Sequence, residues 1–64
     1  MTVRFNTHLY VSTHGRTPRG YGMWGFYFGR EKAPWFTHGS FAHAKEAARA
    51  EAKRRGCAVV VVAP

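Results

Sequence analysis

The side chains best able to do chemistry in this sequence are basic. Seven arginines and three lysines face three glutamates and no aspartate, so the 64 residues carry a formal net charge of +7 at pH 7. Such a balance favours an anionic partner, which is nucleic acid, an acidic protein surface or anionic lipid. The candidate contacts to that partner are Arg16, Arg19, Arg30, Lys45, Arg49 and Lys53.

Three of these cations form a row. Lys45, Arg49 and Lys53 have i, i+4, i+8 spacing, which places them along one face of a helix. A row of this kind can follow the phosphates of a nucleic acid. A solvated helix face explains the same spacing equally well.

Aromatic residues are the second chemical feature, with two Trp, three Tyr and five Phe in the chain. Half of them lie in the stretch Gly20–Gly29. Rings beside arginine can stack on the bases of single strands, although core packing explains most rings in a small domain. Because a tyrosine has a polar end, we expect three exposed aromatic contacts, at Tyr10, Tyr21 and Tyr27.

Catalytic and metal-binding patterns are weak. Glu46 and Glu51 have arginines at i+3 or i+4, so ion pairs explain them, and Cys57 has no evident activating base. The four histidines and Cys57 lack the spacing typical of a metal site. We therefore expect no enzymatic activity and no bound metal.

The glycines Gly20, Gly22 and Gly25 match the dinucleotide-binding fingerprint as a string of letters. That fingerprint must open a helix, whereas an aromatic strand follows here. We expect no nucleotide cofactor, and indeed no cofactor of any kind.

Strand patterns dominate the first half of the chain. Period-2 alternation over residues 3–14 predicts a half-buried strand, and a second strand is predicted over 21–29. Gly25 inside the second strand indicates a bulge or a close backbone approach. A short third strand is predicted over 34–37, at a sheet edge, because Pro34 cannot donate a ladder hydrogen bond.

The second half predicts a helix and a last strand. Residues 41–55 are rich in helix formers, with Ser40 as the N-cap and Gly56 after the last turn. An alanine stripe would let this helix lie close to Trp24, Phe26 and Phe28. Residues 57–63 predict a strand that is buried on both faces and parallel to a neighbour.

Together these elements predict one α+β domain of order β-β-β-α-β, with a four-stranded mixed sheet and one helix packed on one face. The other face would carry Met23 and Tyr27. A partner chain, another protein or stacked bases should cover it. We predict a homodimer, formed through this face or through an edge strand.

Two segments resemble a known family. Leu9–Gly15 and Gly22–Phe28 look like the opening hairpin of ribonuclease H-like domains, and the element order is similar over nearly the whole chain. The catalytic acidic residues are missing, since Ser12 lies near the position of the first metal-binding Asp. The resemblance implies that the last strand lies beside the first, and it implies no activity.

We expect the function of a small basic protein that binds nucleic acid without catalysis. The alternative is a phage or mobile-element protein that binds and inhibits a host protein complex, as anti-CRISPR proteins do. Met1–Asn6 lacks the apolar core of a signal peptide, and no apolar run is long enough for a membrane span. With its unpaired cysteine, the chain is expected to be cytoplasmic and to have no membrane partner.

Overall fold

A computed structural model describes residues 2–64 as a four-stranded mixed sheet with two helices, in the order β-α-β-β-α-β. The predicted α+β class and mixed sheet are confirmed. The predicted order is wrong at one point, because a helix lies between the first two strands. The elements are β1 (Arg4–Asn6), α1 (His8–His14), β2 (Tyr21–Phe28), β3 (Trp35–Ser40), α2 (Phe41–Arg55) and β4 (Val59–Val62).

The strands lie in the order β1-β4-β2-β3. β4 pairs parallel to β1 and antiparallel to β2, and β2 pairs antiparallel to β3. The last strand therefore runs parallel to a neighbour and lies beside the first strand, as predicted. β3 is an edge strand, which is the position expected from Pro34.

Residues 8–14 are helical, so the predicted strand over 3–14 is wrong beyond Asn6. The Asn6 side chain accepts a hydrogen bond from the His8 backbone N–H at 2.9 Å, next to the first turn. Gly15 adopts a left-handed conformation with φ 72°, and its N–H donates to the Val11 carbonyl oxygen. These are ordinary helix start and stop signals, but the alternating pattern obscured them.

Tertiary packing explains why α1 forms from residues with modest helix propensity. Tyr10 is buried, and its ring centroid lies 5.6 Å from that of Trp24. A strand would turn successive side chains to opposite faces, whereas a helix stacks Tyr10 on His14, with centroids 4.2 Å apart. Burial of one aromatic ring outweighs the β preference of Val11 and Thr13.

The core lies between the sheet and α2. The predicted bounds of α2 are confirmed, and Ser40 Oγ accepts from the His43 N–H at 3.2 Å as the N-cap. Trp24 is also held by its side-chain Nε1–H, which donates to the Gly39 carbonyl oxygen at 3.2 Å. The alanine stripe faces the aromatic side of β2, as predicted. Its buried residues are Ala44, Ala48 and Ala52, and their main partners are Trp24, Phe26, Phe28, Val60 and Val62.

Three strand predictions need correction. β2 ends at Phe28, and β3 runs to Ser40, three residues beyond the predicted end at residue 37. β4 spans Val59–Val62 rather than 57–63, and it is buried on one face only. Val59 is 45% exposed, because it lies on the side of the sheet that faces away from α2. Neither helix among the described residues has the length and apolar character needed to cross a bilayer.

Candidate nucleic-acid interface

The side of the sheet that faces away from α2 carries most of the large exposed apolar side chains of the strands. The β2 residues Trp24, Phe26 and Phe28 point toward α2, so the alternate residues point the other way. The strand register extends this side across the sheet. We call it the outer face, and its residues are Arg4, Asn6, Tyr21, Met23, Tyr27, Phe36, His38, Val59 and Val61.

Gly25 makes room on the outer face for an aromatic ring. It pairs with Phe36 across β2 and β3. A Cβ atom at Gly25 would lie 2.8 Å from Phe36 Cε1 and 3.2 Å from the Ala63 Cβ. One edge of the Phe36 ring therefore lies over the β2 backbone, and 58% of the residue stays exposed. The close approach predicted at Gly25 is confirmed.

The three tyrosines that we predicted to be exposed differ in their exposure. Tyr21 is 77% exposed, and its ring meets His38 edge to face at a centroid distance of 4.9 Å. Tyr27 lies on the outer face but is half-buried beside Val61. Tyr10 is only 7% exposed, so the prediction of an exposed contact there is wrong. Its ring fills the gap between α1 and Trp24 instead.

Two cations of the helix row converge on the first strand. Lys45 Nζ and Arg49 Cζ each lie 5.3 Å from the centroid of the Phe5 ring. Cation–π attraction to one ring orients both side chains along the edge strand β1. Arg49 also donates from Nε to Glu46 Oε2 at 3.4 Å, a long and exposed contact. Lys53 continues the row two turns beyond Lys45 and is exposed.

An open groove of about 660 Å³ runs along β1 and the start of α1. Arg4 and His8 are its basic side chains, and no carboxylate lines it. Arg4 lies on the outer face, whereas Phe5 points to the α2 side and contacts Phe26. The β1 edge therefore joins the outer face to the lysine and arginine row. The groove residues are Arg4, Phe5, Asn6, Thr7, His8, Val11 and Val59.

The remaining predicted cations lie elsewhere. Arg16 and Arg19 are exposed in the segment between α1 and β2. The last residue of that segment, Gly20, is hydrogen-bonded to the start of α2. The Phe41 N–H donates to the Gly20 carbonyl oxygen at 2.8 Å. Arg30 is exposed in the turn after β2. The described structure brings Lys45 and Arg49 together, but it shows no contact between them and the other three arginines.

All three glutamates are held by arginines. Glu46 contacts Arg49, while Glu51 bonds to both Arg54 and Arg55. Arg55 also donates to both carboxylate oxygens of Glu31, at 2.9 and 3.0 Å. Its guanidinium lies 4.5 Å from the Phe28 ring centroid, which ties the β2–β3 turn to the end of α2.

The Glu51 carboxylate is the most perturbed acid in the described residues. Hydrogen bonds from Arg54 and then Arg55 lower the pKa of Glu51 from 4.5 to about 2. The hydrogen bonds that Arg54 and Arg55 donate to Glu51 raise the pKa of both arginines in turn. Such a carboxylate stays ionised and bonded to its two arginines, so it is a poor general acid or base at neutral pH.

The other reactive residues are scattered. Within residues 2–64, no three His, Cys, Asp or Glu side chains are placed to hold a metal ion. Cys57 is unpaired and half-buried, and its thiol donates to the Val59 carbonyl oxygen at 2.9 Å. Gly22 and Gly25 lie inside β2, and Gly20 immediately precedes it. A strand therefore follows this glycine motif, as the sequence indicated.

Comparisons with protein-family models, with curated proteins and with solved structures found no match to this chain. The geometry alone therefore defines the candidate interface. Sequence reasoning missed Arg4, Phe5 and His8, because residues 3–14 were interpreted as one long strand. The Asn6 side chain, which accepts from the His8 N–H, and Gly15 after the helix were the signals that could have ended β1 early and revealed the groove.

Proposed function

We propose that this protein binds nucleic acid through its basic surface and carries out no catalysis. The observation that carries the proposal is the distribution of charge. The three glutamates pair with Arg49, Arg54 and Arg55, and the other seven of the ten lysines and arginines form no salt bridge within residues 2–64. The unpaired cations are Arg4, Arg16, Arg19, Arg30, Lys32, Lys45 and Lys53.

The β1 edge is the best position for a phosphate backbone. Lys45 and Arg49 are ordered by the Phe5 ring, and Arg4 reaches the same edge from the outer face. Ordered cations lose less conformational entropy when a phosphate arrives than free side chains do. Each phosphate contact releases condensed counterions, which supplies affinity without regard to base sequence.

The test compares two double variants of equal net charge. Lys45→Gln/Lys53→Gln removes two cations from the row, and Lys32→Gln/Arg54→Gln removes one unpaired and one Glu51-paired cation outside it. Binding to a labelled single-stranded oligonucleotide is followed by fluorescence anisotropy at several salt concentrations. We expect the row variant to lower the salt slope by about 0.7 per lost contact, while the control changes it little. Equal losses in both variants would show that net charge alone drives binding.

A protein partner is the second candidate, and one observation favours it. Met23 is 63% and Val59 is 45% exposed on the outer face. An apolar face with a basic edge suits an acidic protein complex, and a host-directed inhibitor of the anti-CRISPR type would use it in this way. Capture from nuclease-treated lysate separates the candidates, because only a direct protein partner survives the nuclease.

The unpaired Cys57 supports a cytoplasmic location, where thiols stay reduced. The homodimer predicted from the sequence stays a prediction. Light scattering at high protein concentration would test it, and a strict monomer would leave the outer face free for another partner.

A further inference from the structure

We infer that the outer face binds single-stranded nucleic acid, with unpaired bases stacked on Tyr21, Phe36 and Tyr27. The inference rests on the proposed function. It adds that the nucleic acid is single-stranded, and it names the side chains that contact the bases.

Tyr21 and Tyr27 lie on β2, and the Phe36 ring reaches from β3 over Gly25 between them. The Gly25–Phe36 pair lies between Tyr21 and Tyr27 on the same face. At a strand rise of about 3.3 Å per residue, Tyr21 lies roughly 13 Å from this pair and Tyr27 roughly 7 Å on its other side. The three rings therefore span several nucleotides, which is the scale of single-strand binding on other sheet surfaces.

The most exposed rings are already held in place. Phe36 lies against the Gly25 backbone, and Tyr21 lies against His38. Each ring therefore keeps a large exposed area while its position is restricted by a neighbour. A positioned ring loses little entropy when a base stacks on it, so the stacking free energy appears as affinity.

The charge around the rings is complementary to a nucleic acid. No glutamate side chain belongs to the outer face, because Glu46 and Glu51 lie on α2 and the Glu31 carboxylate is bonded to Arg55 at the end of α2. Arg4 lies on the outer face at β1, and Arg19 precedes Tyr21 by two residues. Phosphates on either side of the stacked bases would therefore meet cations.

Two other occupants fit less well. A duplex keeps its bases stacked inside, so it offers no free base face to an aromatic sheet. A second copy placed face to face would bring together two chains of formal charge +7, with Arg4 on both sides of the contact. Self-repulsion opposes that pairing, whereas a polyanion is attracted.

The experiment measures binding to a labelled oligothymidylate of about 15 nucleotides and to a duplex hairpin with a similar number of phosphates. The variants are Tyr21→Ala, Phe36→Ala and Phe36→Leu. Phe36→Leu keeps an apolar side chain and removes the aromatic ring. Leu9→Ala is the matched control, since Leu9 is 44% exposed on α1 and lies off the outer face. Circular dichroism melts verify that each variant is folded.

We expect the wild-type protein to prefer the single strand. Tyr21→Ala and Phe36→Ala should each weaken that binding about tenfold or more, Phe36→Leu should weaken it nearly as much as Phe36→Ala, and Leu9→Ala should leave it unchanged. The salt slope should stay the same in all four variants, because no phosphate contact is lost.

Three results would overturn the inference. Equal affinity for the single-stranded oligonucleotide and the duplex hairpin, with no effect of the aromatic variants, would reject base stacking. Phosphate binding would then remain as the function. A dimer in light scattering that Phe36→Ala dissociates would assign the outer face to a second copy. If neither probe binds, the proposed nucleic-acid binding is rejected. This outcome differs from the first, in which both probes bind and only base stacking is rejected.

Discussion

The Phe36 ring occupies the space above Gly25 that the Cβ atom of any other residue would fill. The two residues pair across β2 and β3, and the nearest ring carbon would lie 2.8 Å from an added Cβ atom. The exposed ring can therefore take this position only because Gly25 has no side chain. This relationship links the glycine pattern of the sequence to the surface on which we expect bases to stack.

Gly25→Ala should disturb the outer face without disrupting the core. The added methyl group crowds both Phe36 and Ala63, so we expect a loss of about 1 kcal/mol in the free energy of unfolding and weaker single-strand binding. Urea denaturation and anisotropy would measure the two effects. Gly22→Ala is the matched control on the same strand, because an added Cβ there meets nothing within 4 Å.

A double-mutant cycle sharpens this prediction. If the Phe36 ring is the group that clashes, Phe36→Ala should relieve much of the destabilisation caused by Gly25→Ala. Strictly additive free energies would instead assign the strain to Ala63 or to the backbone.

Tyr10 should be a structural residue and not a ligand contact. Tyr10→Ala removes a buried ring between α1 and Trp24, so we expect the free energy of unfolding to fall by about 3 kcal/mol. Tyr10→Leu, which retains most of the apolar volume, should cost about 1 kcal/mol. Chemical denaturation monitored by circular dichroism checks both values.

The exposed neighbour Leu9 provides the contrast for Tyr10. Leu9→Ala should change the stability of the protein by less than about 0.5 kcal/mol, since almost half of the residue is already in water. If residues 8–14 were a strand in solution, truncation of Tyr10 would be mild and the difference between the two positions would vanish.

The stability of the protein should depend on pH through Glu51. Because Arg54 and Arg55 hold the pKa of Glu51 near 2 rather than 4.5, the folded state binds fewer protons than the unfolded state between these values. The stabilisation is complete above about pH 4.5 and is lost as the pH falls toward 2. Unfolding free energies of wild type and Glu51→Gln should therefore converge across this window.

Glu46→Gln is the control that removes the same charge from another position on α2. Glu46 makes one long, exposed contact with Arg49, so its removal should change the free energy of unfolding by less than about 1 kcal/mol. An acid profile of Glu51→Gln as steep as that of the wild type would contradict the assigned network.

Local signals predicted the second half of the fold better than the first. Ser40, the alanine stripe and Gly56 specify α2, and both the local and the tertiary preferences agree there. Residues 8–14 were misinterpreted because Val11 and Thr13 favour a strand locally, while the burial of Tyr10 against Trp24 depends on contacts distant in sequence. The alternation of side chains along β2 was by itself enough to place Trp24 and Phe26 on the face that packs against α2.

The candidate site was only partly predictable for the same reason. The i, i+4 spacing of Lys45 and Arg49 identified a cationic row, but its position beside Phe5 depends on the β1–β4 pairing. The family resemblance predicted the last strand beside the first, but the register that sets Phe5 opposite Val60 has no local signature in a single sequence. The exposure of Phe36 also followed from the sheet register rather than from its own neighbours.

The most direct measurement is the salt dependence of wild-type binding to a single-stranded oligonucleotide. With the three row cations, Lys45, Arg49 and Lys53, on phosphates, the logarithm of the binding constant should fall with the logarithm of salt at a slope of about −2, and any phosphate contact of Arg4 or Arg19 makes the slope steeper. The affinity should drop about tenfold or more between about 50 and 200 mM salt. A flat salt response, or no binding at the lowest salt, would contradict nucleic-acid binding by this protein.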